Sequence, residues 1–389
     1  MNIPLSAPDI NEYDIEEVAA VLRTPRLSLG PKLEEFERAV ARCVGAEHAV
    51  GVSSGTAGLH LAVRALGIGA GDEVIVPSFA FIAVANVVRY ERAIPVFVDI
   101  DPMMLNLDPK CIEAAITPRT KAIIVVHTFG CPADLSEILE IARRHHLVVI
   151  EDACEAIGAE YDGRKVGALA DAGVFAFYPN KQITTGEGGM IVTGNARVAS
   201  AARALRNQGR TDPENWFQHS EVGYNYRISE MNCALGISQL TRIEAILSLR
   251  ENVARRYDDK LRGDENLILP VMDLPRRKIS WFVYVVRLSA AFTQSHRDWI
   301  AREIDHRGIG CGRYFAPIHL QPAYSSALAT RTDLAVTERE ASRTLALPFF
   351  NRLRDDQIDE VCANLCELIH RARDLNLSEN QNRRAAGCP

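Results

Sequence analysis

The chain has 389 residues, of which 47% are hydrophobic and 24% charged, as in a soluble globular protein of about two or three domains. The formal net charge is −6 and the basic residues are spread along the chain, which argues against nucleic acid or an anionic membrane as the main partner. No apolar stretch has the length of a membrane span, and the first residues lack a basic region followed by an apolar core. We therefore expect a cytoplasmic protein that binds small molecules.

The nine cysteines are scattered, and the pair Cys362 and Cys366 has no second cysteine pair to complete a metal site. We expect them to be reduced packing residues, and no metal site is predicted.

Short runs rich in valine and isoleucine alternate with helical periodicity over the first two thirds of the chain. Strands are predicted at 47–53, 73–77, 94–99, 121–127 and 147–152, and another apolar run at 173–181 has the pattern of a strand that ends at Lys181. This alternation predicts an α/β fold with a mainly parallel sheet covered by helices on both faces.

Helix signals agree with this order. Pro31 opens an amphipathic stretch that ends near Gly45, and Asp108 followed by Pro109 is typical of a helix start. A long helical pattern runs over 229–261, after which the alternation stops. We therefore predict an N-terminal arm over 1–30, a large domain over 31–249 and a smaller C-terminal domain over 250–389, with a loosely held tail at 374–389.

Four segments are predicted to meet at the carboxyl ends of the strands, where open α/β sheets bind ligands. The small-residue turn 53–58, which contains Gly55 and Thr56, precedes a helix and suits a phosphate, although a plain turn has the same pattern. Phe81 follows the next strand and could stack on a planar cofactor or pack in the core. Neither the dinucleotide nor the ATP-binding glycine motif is present, which disfavours those sites.

A carboxylate, Asp152, ends a strand that should be buried, so its charge needs a partner. A helix cap, a salt bridge or a protonated ring nitrogen would each serve. Lys181 is followed by the glycine-rich loop 184–189 and could carry a cofactor aldehyde as a Schiff base, whereas a lone lysine is usually a solvated surface group. Together the four segments supply what a pyridoxal phosphate site requires.

The sequence also resembles a known family, the DegT/DnrJ/StrS sugar aminotransferases, from about residue 5 to residue 370. The Lys181 loop is the most specific of the matching stretches, which are Ser53-Ser-Gly-Thr-Ala-Gly-Leu59, Pro77-Ser-Phe-Ala-Phe81, Pro95-Val-Phe-Val-Asp-Ile-Asp101, Val149-Ile-Glu-Asp-Ala-Cys-Glu-Ala156, Asn180-Lys-Gln-Ile-Thr-Thr-Gly-Glu-Gly-Gly189, Gly223-Tyr-Asn-Tyr-Arg-Ile-Ser229 and Pro317-Ile-His-Leu-Gln-Pro-Ala-Tyr324.

The resemblance implies the aspartate aminotransferase fold (pyridoxal phosphate fold type I), with a mainly parallel seven-stranded sheet in the large domain and a smaller α+β domain. It implies a homodimer with active sites at the subunit interface. It also assigns roles: Lys181 forms the Schiff base with pyridoxal 5'-phosphate, and Asp152 holds the pyridine nitrogen protonated. The remaining implied cofactor contacts are Gly55 and Thr56 to the phosphate, Phe81 stacked on the ring, and Asn225 reaching the phosphate from the neighbouring subunit.

Two positions depart from the commonest family pattern. Ala176 stands five residues before the lysine, where the family often has a phosphate-binding serine. Glu155 stands where the family often has glutamine near the ring hydroxyl. Other donors remain, so we expect the cofactor still to bind.

The resemblance implies ping-pong transfer of an amino group from glutamate or glutamine to a nucleotide-linked keto-deoxysugar, through pyridoxamine phosphate. Arg313, Tyr314 and His319 are candidate contacts to the sugar or its diphosphate, and each could instead be structural. The stretch 79–86 looks more like members that act at carbon 4. The nucleotide is not predicted.

Alternative functions remain. A sugar dehydratase of the same family has histidine in place of the lysine, so Lys181 favours transamination. A keto-inositol acceptor is also compatible with the sequence. A regulatory sensor on this scaffold would need a recognition element that the sequence lacks. A nicotinamide-dependent oxidoreductase is disfavoured by the missing phosphate motif.

Overall fold

A computed structural model describes residues 2–211, 218–324 and 333–375 of the chain. Its α-helices within these ranges are α1 (Glu12–Leu22), α2 (Pro31–Val44), α3 (Gly55–Ala65), α4 (Ala83–Tyr90), α5 (Pro109–Ile112), α6 (Leu135–His145), α7 (Ala196–Arg206), α8 (Glu230–Thr241), α9 (Ile243–Leu261), α10 (Gln294–His306), α11 (Ala335–Ala341) and α12 (Asp355–Arg373). None of them is long and apolar enough to cross a membrane.

The strands of these ranges form a large sheet and two small ones. They are β1 (His48–Val52), β2 (Glu73–Pro77), β3 (Ile94–Val98), β4 (Thr120–Val126), β5 (Val148–Asp152), β6 (Glu160–Tyr161), β7 (Arg164–Lys165), β8 (Ala172–Ala176), β9 (Gly189–Thr193), β10 (Leu267–Ile268), β11 (Arg277–Lys278), β12 (Tyr284–Leu288) and β13 (Thr344–Leu347).

The large sheet has seven strands in the order β1-β9-β8-β5-β4-β2-β3. Strand β9 is antiparallel to β1 and β8, and the other pairs are parallel. All strands except β9 therefore point the same way, and their carboxyl ends share one edge. The predicted α/β fold with a mainly parallel sheet is confirmed, and the five early strands lie within one or two residues of their predicted bounds.

Apolar side chains cover both faces of this sheet. Phe36 and Val40 of the amphipathic helix α2 lie in the core on one face, and Leu61 of α3 with Val87 of α4 lies in the core on the other. The strands are buried on both sides, which is why they are almost continuous runs of valine and isoleucine.

The strand that was predicted to end at Lys181 is shorter than expected. Strand β8 ends at Ala176, and the chain turns at Pro179, where the N–H of Lys181 donates to the carbonyl of Tyr178 at 2.9 Å. Proline has no N–H for a strand ladder and favours the second position of a turn. Lys181 thus lies in a loop beyond the sheet edge.

Two other predicted helices also differ. The pattern over 229–261 is divided into α8 and α9 at Arg242, whose guanidinium binds Asp14 and the carbonyl of Asp9 in the N-terminal segment. The helix that starts at Pro109 with Asp108 as its cap has only four residues, followed by a 3₁₀ turn. Neither break has a glycine or proline at the site, so local sequence did not reveal it.

The C-terminal part of the chain builds its own apolar core. The three-stranded sheet β10-β12-β13 packs with α10 and α12, and Ile3 from the N-terminal segment joins this core. Helix α9 belongs to both cores, since Ile246 packs in the first and Tyr257 in the last. We keep the division of domains at residue 250, inside this helix, as a proposal.

A fully buried carboxylate fixes the loop that leads into β8. Glu151 accepts hydrogen bonds from the N–H groups of Gly167, Leu169 and Ala170 at 2.7–2.9 Å. His127 Nε2 lies 3.1 Å from the same carboxylate, and because the N–H of Ala133 donates to His127 Nδ1, the ring hydrogen is on Nε2. The negative charge is therefore satisfied by four donors.

Replacing Glu151 by Gln should destabilise the fold by about 2 kcal/mol or more, because an amide N–H₂ would then face donors and leave them unsatisfied. The midpoint of chemical denaturation measures this loss. The matched control is Glu160→Gln, which breaks a partly exposed ion pair with Lys165 and should cost less than about 1 kcal/mol. Equal midpoints for the two variants would contradict the assigned role of Glu151.

Candidate active site

The phosphate turn lies at the carboxyl edge of the sheet, directly after β1. Helix α3 begins at Gly55, and the side chain of Ser54 caps it by accepting from the N–H of Ala57 at 3.1 Å. The first N–H groups of a helix have no partner within the helix, so those of Gly55 and Thr56 are placed to bind an anion at the positive helix end.

Close backbone packing joins this turn to the strands that carry the other candidates. A Cβ at Gly55 would lie 2.7 Å from the Ala176 Cβ and 2.9 Å from the Cys154 Sγ. A Cβ at Gly189 would lie 2.5 Å from the carbonyl oxygen of Ser54. The turn therefore lies against the ends of β5 and β8, and Ala176 supplies contact to the turn rather than a hydroxyl.

Asp152 is buried at the end of β5, as predicted. Its Oδ1 accepts from the N–H of Cys154 at 3.1 Å. Burial raises the pKa of the Cys154 thiol well above its ordinary value, so this neighbour stays neutral. Asp152 thus brings a negative charge to the edge of the sheet beside the phosphate turn.

The lysine lies between a carboxylate and an aromatic ring. Its side chain is only 13% exposed, Nζ lies 3.6 Å from Glu155 Oε1, and the centroid of the Phe282 ring is 4.0 Å from Nζ. A solvated surface role for Lys181 is therefore wrong. An amine that is held this far from water needs both partners to balance its charge.

Glu155 is buried as well. Its Oε2 accepts from the N–H of Phe129 at 2.9 Å, and Oε1 faces Lys181. Burial raises the pKa of the Glu155 carboxyl above its ordinary value, while Lys181 and the Phe129 N–H act in the opposite direction. Glu155 therefore contacts the lysine itself.

Gln182 fixes the lysine loop from the next position, and the sequence did not single it out. Its Nε2 donates to the carbonyls of Glu155 and Ser280 at 2.6 and 2.9 Å, and to Ser280 Oγ at 3.0 Å. Gly130 approaches the Ser280 backbone so closely that a Cβ would lie 1.7 Å from the carbonyl oxygen. These contacts dock the segment that carries Phe282 against the lysine loop.

Arg250 holds the same segment from the other side. It donates to the carbonyls of Trp281 and Phe282 at 2.7 Å, and burial lowers its pKa to about 10. The sequence did not reveal the roles of Phe282 and Arg250, because each contacts residues that are far away in the chain. For Gln182 the sequence held one signal, which is a polar side chain within the Lys181 loop.

Tyr314 lies beside Phe282, the aromatic partner of Lys181. Its ring is nearly parallel to that of Phe282, with centroids 6.5 Å apart. Burial and the nearby Glu155 carboxylate raise the pKa of Tyr314, whereas a hydrogen bond from Asn180 acts to lower it. Asn180 Oδ1 is buried without a hydrogen-bond partner among the described residues, which leaves a polar atom available beside Lys181.

Arg313 and His319 are placed differently. Arg313 is about half exposed, with Nε 3.4 Å from Asp298 Oδ1. Both ring nitrogens of His319 are engaged, Nδ1 with Ser78 Oγ at 2.7 Å and Nε2 with Glu338 Oε1 at 3.2 Å. His319 therefore braces the turn after β2, and its geometry favours the structural alternative for this residue.

Phe81 and Asn225 point outward in a single chain. Phe81 lies after β2 and is 60% exposed, which leaves its ring free to stack. Asn225 is exposed and pairs through its backbone with Asn207. The two flanking tyrosines are stacked, and the carbonyl of Tyr226 accepts from the N–H of Ser53 in the phosphate turn at 2.9 Å. No hydrogen bond or ion pair in the described ranges joins Asn225 to Lys181.

Known proteins are similar to this chain over most of its length. A model of the DegT/DnrJ/EryC1/StrS aminotransferase family matches residues 8–366. The GDP-perosamine synthase of Caulobacter vibrioides is 43% identical over 369 residues, which is 94% of this chain and 98% of the relative. The chain belongs to the DegT/DnrJ/EryC1/StrS aminotransferase family.

Solved structures are also similar. The putative sugar aminotransferase Spr1654 of Streptococcus pneumoniae, known in PLP and PMP forms, has a TM-score of 0.91 at 27% identity; for the PLP form, 96% of this chain and 100% of that chain are covered. DesI, solved in the presence of its TDP-sugar product, has a TM-score of 0.88 at 32% identity and covers 96% of this chain and 94% of its own. The fold is that of pyridoxal-phosphate-dependent aminotransferases, and pyridoxal phosphate is the cofactor.

Replacing Gly55 by Ala should lower the affinity for pyridoxal phosphate at least about tenfold, because the added Cβ would displace the turn from Ala176 and Cys154. An absorbance titration of the cofactor-free protein measures this affinity. Gly69→Ala is the control, since a Cβ there meets nothing within 4 Å. Unchanged affinity in Gly55→Ala would show that the turn does not hold the phosphate.

Proposed function

We propose that this chain moves an amino group from glutamate or glutamine to carbon 4 of a nucleotide-linked keto-deoxysugar. The observation that carries the proposal is the buried Lys181 amine, held at the sheet edge that also bears Asp152 and the turn at Gly55. Each of these groups matches one part of pyridoxal phosphate.

The residues of the site fit the cofactor. The N–H groups of Gly55 and Thr56 would bind its phosphate, Phe81 would stack on its ring, and the Asp152 carboxylate would hold its ring nitrogen protonated. When bound, pyridoxal phosphate supplies an electron sink for breaking a bond to the substrate carbon that bears the amino group. Ala176 has no hydroxyl for the phosphate, so the helix end is its main anchor.

Lys181 would have two roles. Its Nζ would hold the cofactor through its aldehyde until an amino donor takes the place of the lysine. The freed Nζ remains beside Glu155 and Phe282, where it can take a proton from one carbon and return it to another. A histidine could not form the first attachment, and for this reason we favour amino transfer over dehydration.

Donor and acceptor would react in separate half-reactions at this one lysine. Tyr314 lies beside Phe282 and near Glu155, which are the two partners of Lys181, and we infer that it is the best placed of the candidate substrate contacts. Arg313 is more exposed, and its fork of donors suits a diphosphate. His319 would act through Ser78, which it binds, by holding the turn that carries Phe81.

The proposal includes a homodimer. Phe81 and Tyr178 are 60% and 52% exposed although both adjoin the site, and exposed large apolar side chains at a site commonly mark a protein interface. The exposed Asn225 would then reach the phosphate of the neighbouring subunit. The dimer also explains why Phe81 lacks cover in one chain.

We further propose a GDP-linked sugar as acceptor. The support is the 43% identity over nearly the whole chain with a relative that is named for a GDP-linked sugar. The stretch 79–86 after β2 supports carbon 4, since it resembles that of members that act there.

The test supplies the purified protein with glutamate or glutamine and a panel of GDP-linked and TDP-linked 3-keto and 4-keto sugars. We expect the donor alone to convert the cofactor spectrum to that of the amine form. The GDP-linked 4-keto sugar should then give an aminated product, with the carbon assigned by NMR.

Lys181→Arg should lower the transamination rate at least about a hundredfold because it keeps the charge but cannot carry the aldehyde. Lys165→Arg, at a surface ion pair, should retain full activity. A spectrum that does not respond to either donor, or amination of 3-keto sugars alone, would contradict the proposal.

A further inference from the structure

The ion pair between Glu155 and Lys181 is largely shielded from water, and the reaction proposed above would break it. The atoms are 3.6 Å apart, and both side chains are almost fully removed from water. Among the described residues, Lys181 is the one cation that forms an ion pair with Glu155, and its other neighbour is the Phe282 ring. Any event that removes the charge of the amine therefore leaves the carboxylate without a counter-ion.

The other groups around Glu155 do not replace that cation. Asp152 is a carboxylate on the end of β5, and Tyr314 and the Cys154 thiol are neutral groups whose pKa values are raised by burial. The Phe129 N–H donates to Oε2 alone. A buried carboxylate that has lost its partner is costly, and taking up a proton removes the cost.

We propose that Glu155 takes up the proton that Lys181 releases and returns it when the ammonium forms again. In this step one N–H bond of the ammonium breaks, one O–H bond forms at Oε1, and no net charge leaves the pair. The proposal rests on the proposed use of Lys181, whose amine must be neutral to attack an aldehyde. It makes Glu155 a proton store for the lysine.

The identity of the residue follows from this role. Protonated Glu155 has an O–H donor at Oε1, while Oε2 still accepts from the Phe129 N–H. A glutamine at this position could donate a hydrogen bond but could not exchange a proton. The fixed position of Glu155 is secured by the Gln182 contact to its own carbonyl at 2.6 Å.

The burial of Glu155 determines how its pKa responds when the lysine loses its charge. Its carboxyl pKa is already raised by burial, and Lys181 is the largest opposing influence. Removing the lysine charge should therefore raise the Glu155 pKa further, because the influence that most opposes desolvation of the carboxylate is then lost. The infrared experiment tests whether this rise leaves the carboxyl protonated at about neutral pH.

The experiment records infrared spectra of the full-length, cofactor-free protein at about neutral pH. It compares the wild type with Lys181→Met, Lys181→Arg and the double variant Lys181→Met with Glu155→Gln. Methionine removes the charge and arginine keeps it, whereas neither can carry the cofactor. We expect a carboxylic acid C=O band in Lys181→Met that is missing from the other three proteins.

Lack of the band in Lys181→Met, its presence in Lys181→Arg, or its survival in the double variant would each overturn the proposal. Lys181→Ala repeats the test if methionine prevents folding. The readout needs no cofactor, so it is independent of whether Lys181 binds an aldehyde. That separate question is answered by the activity of the wild type.

Discussion

The Lys181 amine is largely shielded from water, and it lies between the Glu155 carboxylate and the Phe282 ring. Both come from segments that must be held in place. Gln182 and Arg250 bind the backbone that carries Phe282, and the Phe129 N–H fixes Glu155. The carboxyl edge of the sheet is thus arranged around one buried charge.

Parallel strand order brings the rest of the site to that charge. Because β1, β5 and β8 run in the same direction, the turn at Gly55, the carboxylate of Asp152 and the loop of Lys181 follow strand ends at one edge. The contact of Gly55 with Ala176 leaves no room for a side chain between them. The parallel strand order and this close packing therefore bring together the phosphate turn and the lysine loop.

The sequence predicted the parallel sheet because buried strands on both faces leave a strong pattern of valine and isoleucine. It also made Asp152 and Lys181 candidate site residues, since a charged residue at the end of an apolar run is easy to recognise. It could not predict the break at Arg242, which depends on Asp14 more than two hundred residues away. Nor could it find Phe282, whose role arises only from docking against Lys181. His319 was a candidate substrate contact that could instead be structural, and its hydrogen bond with Ser78 favours the structural alternative.

We propose that Lys181 is the residue to which pyridoxal phosphate attaches. Reduction of the cofactor-loaded protein with borohydride, followed by proteolysis and mass spectrometry, tests it directly. We predict a single pyridoxyl label on the peptide that contains Lys181, and none in Lys181→Arg. A label on another lysine, or an unlabelled protein that still transaminates, would contradict attachment of the cofactor to Lys181.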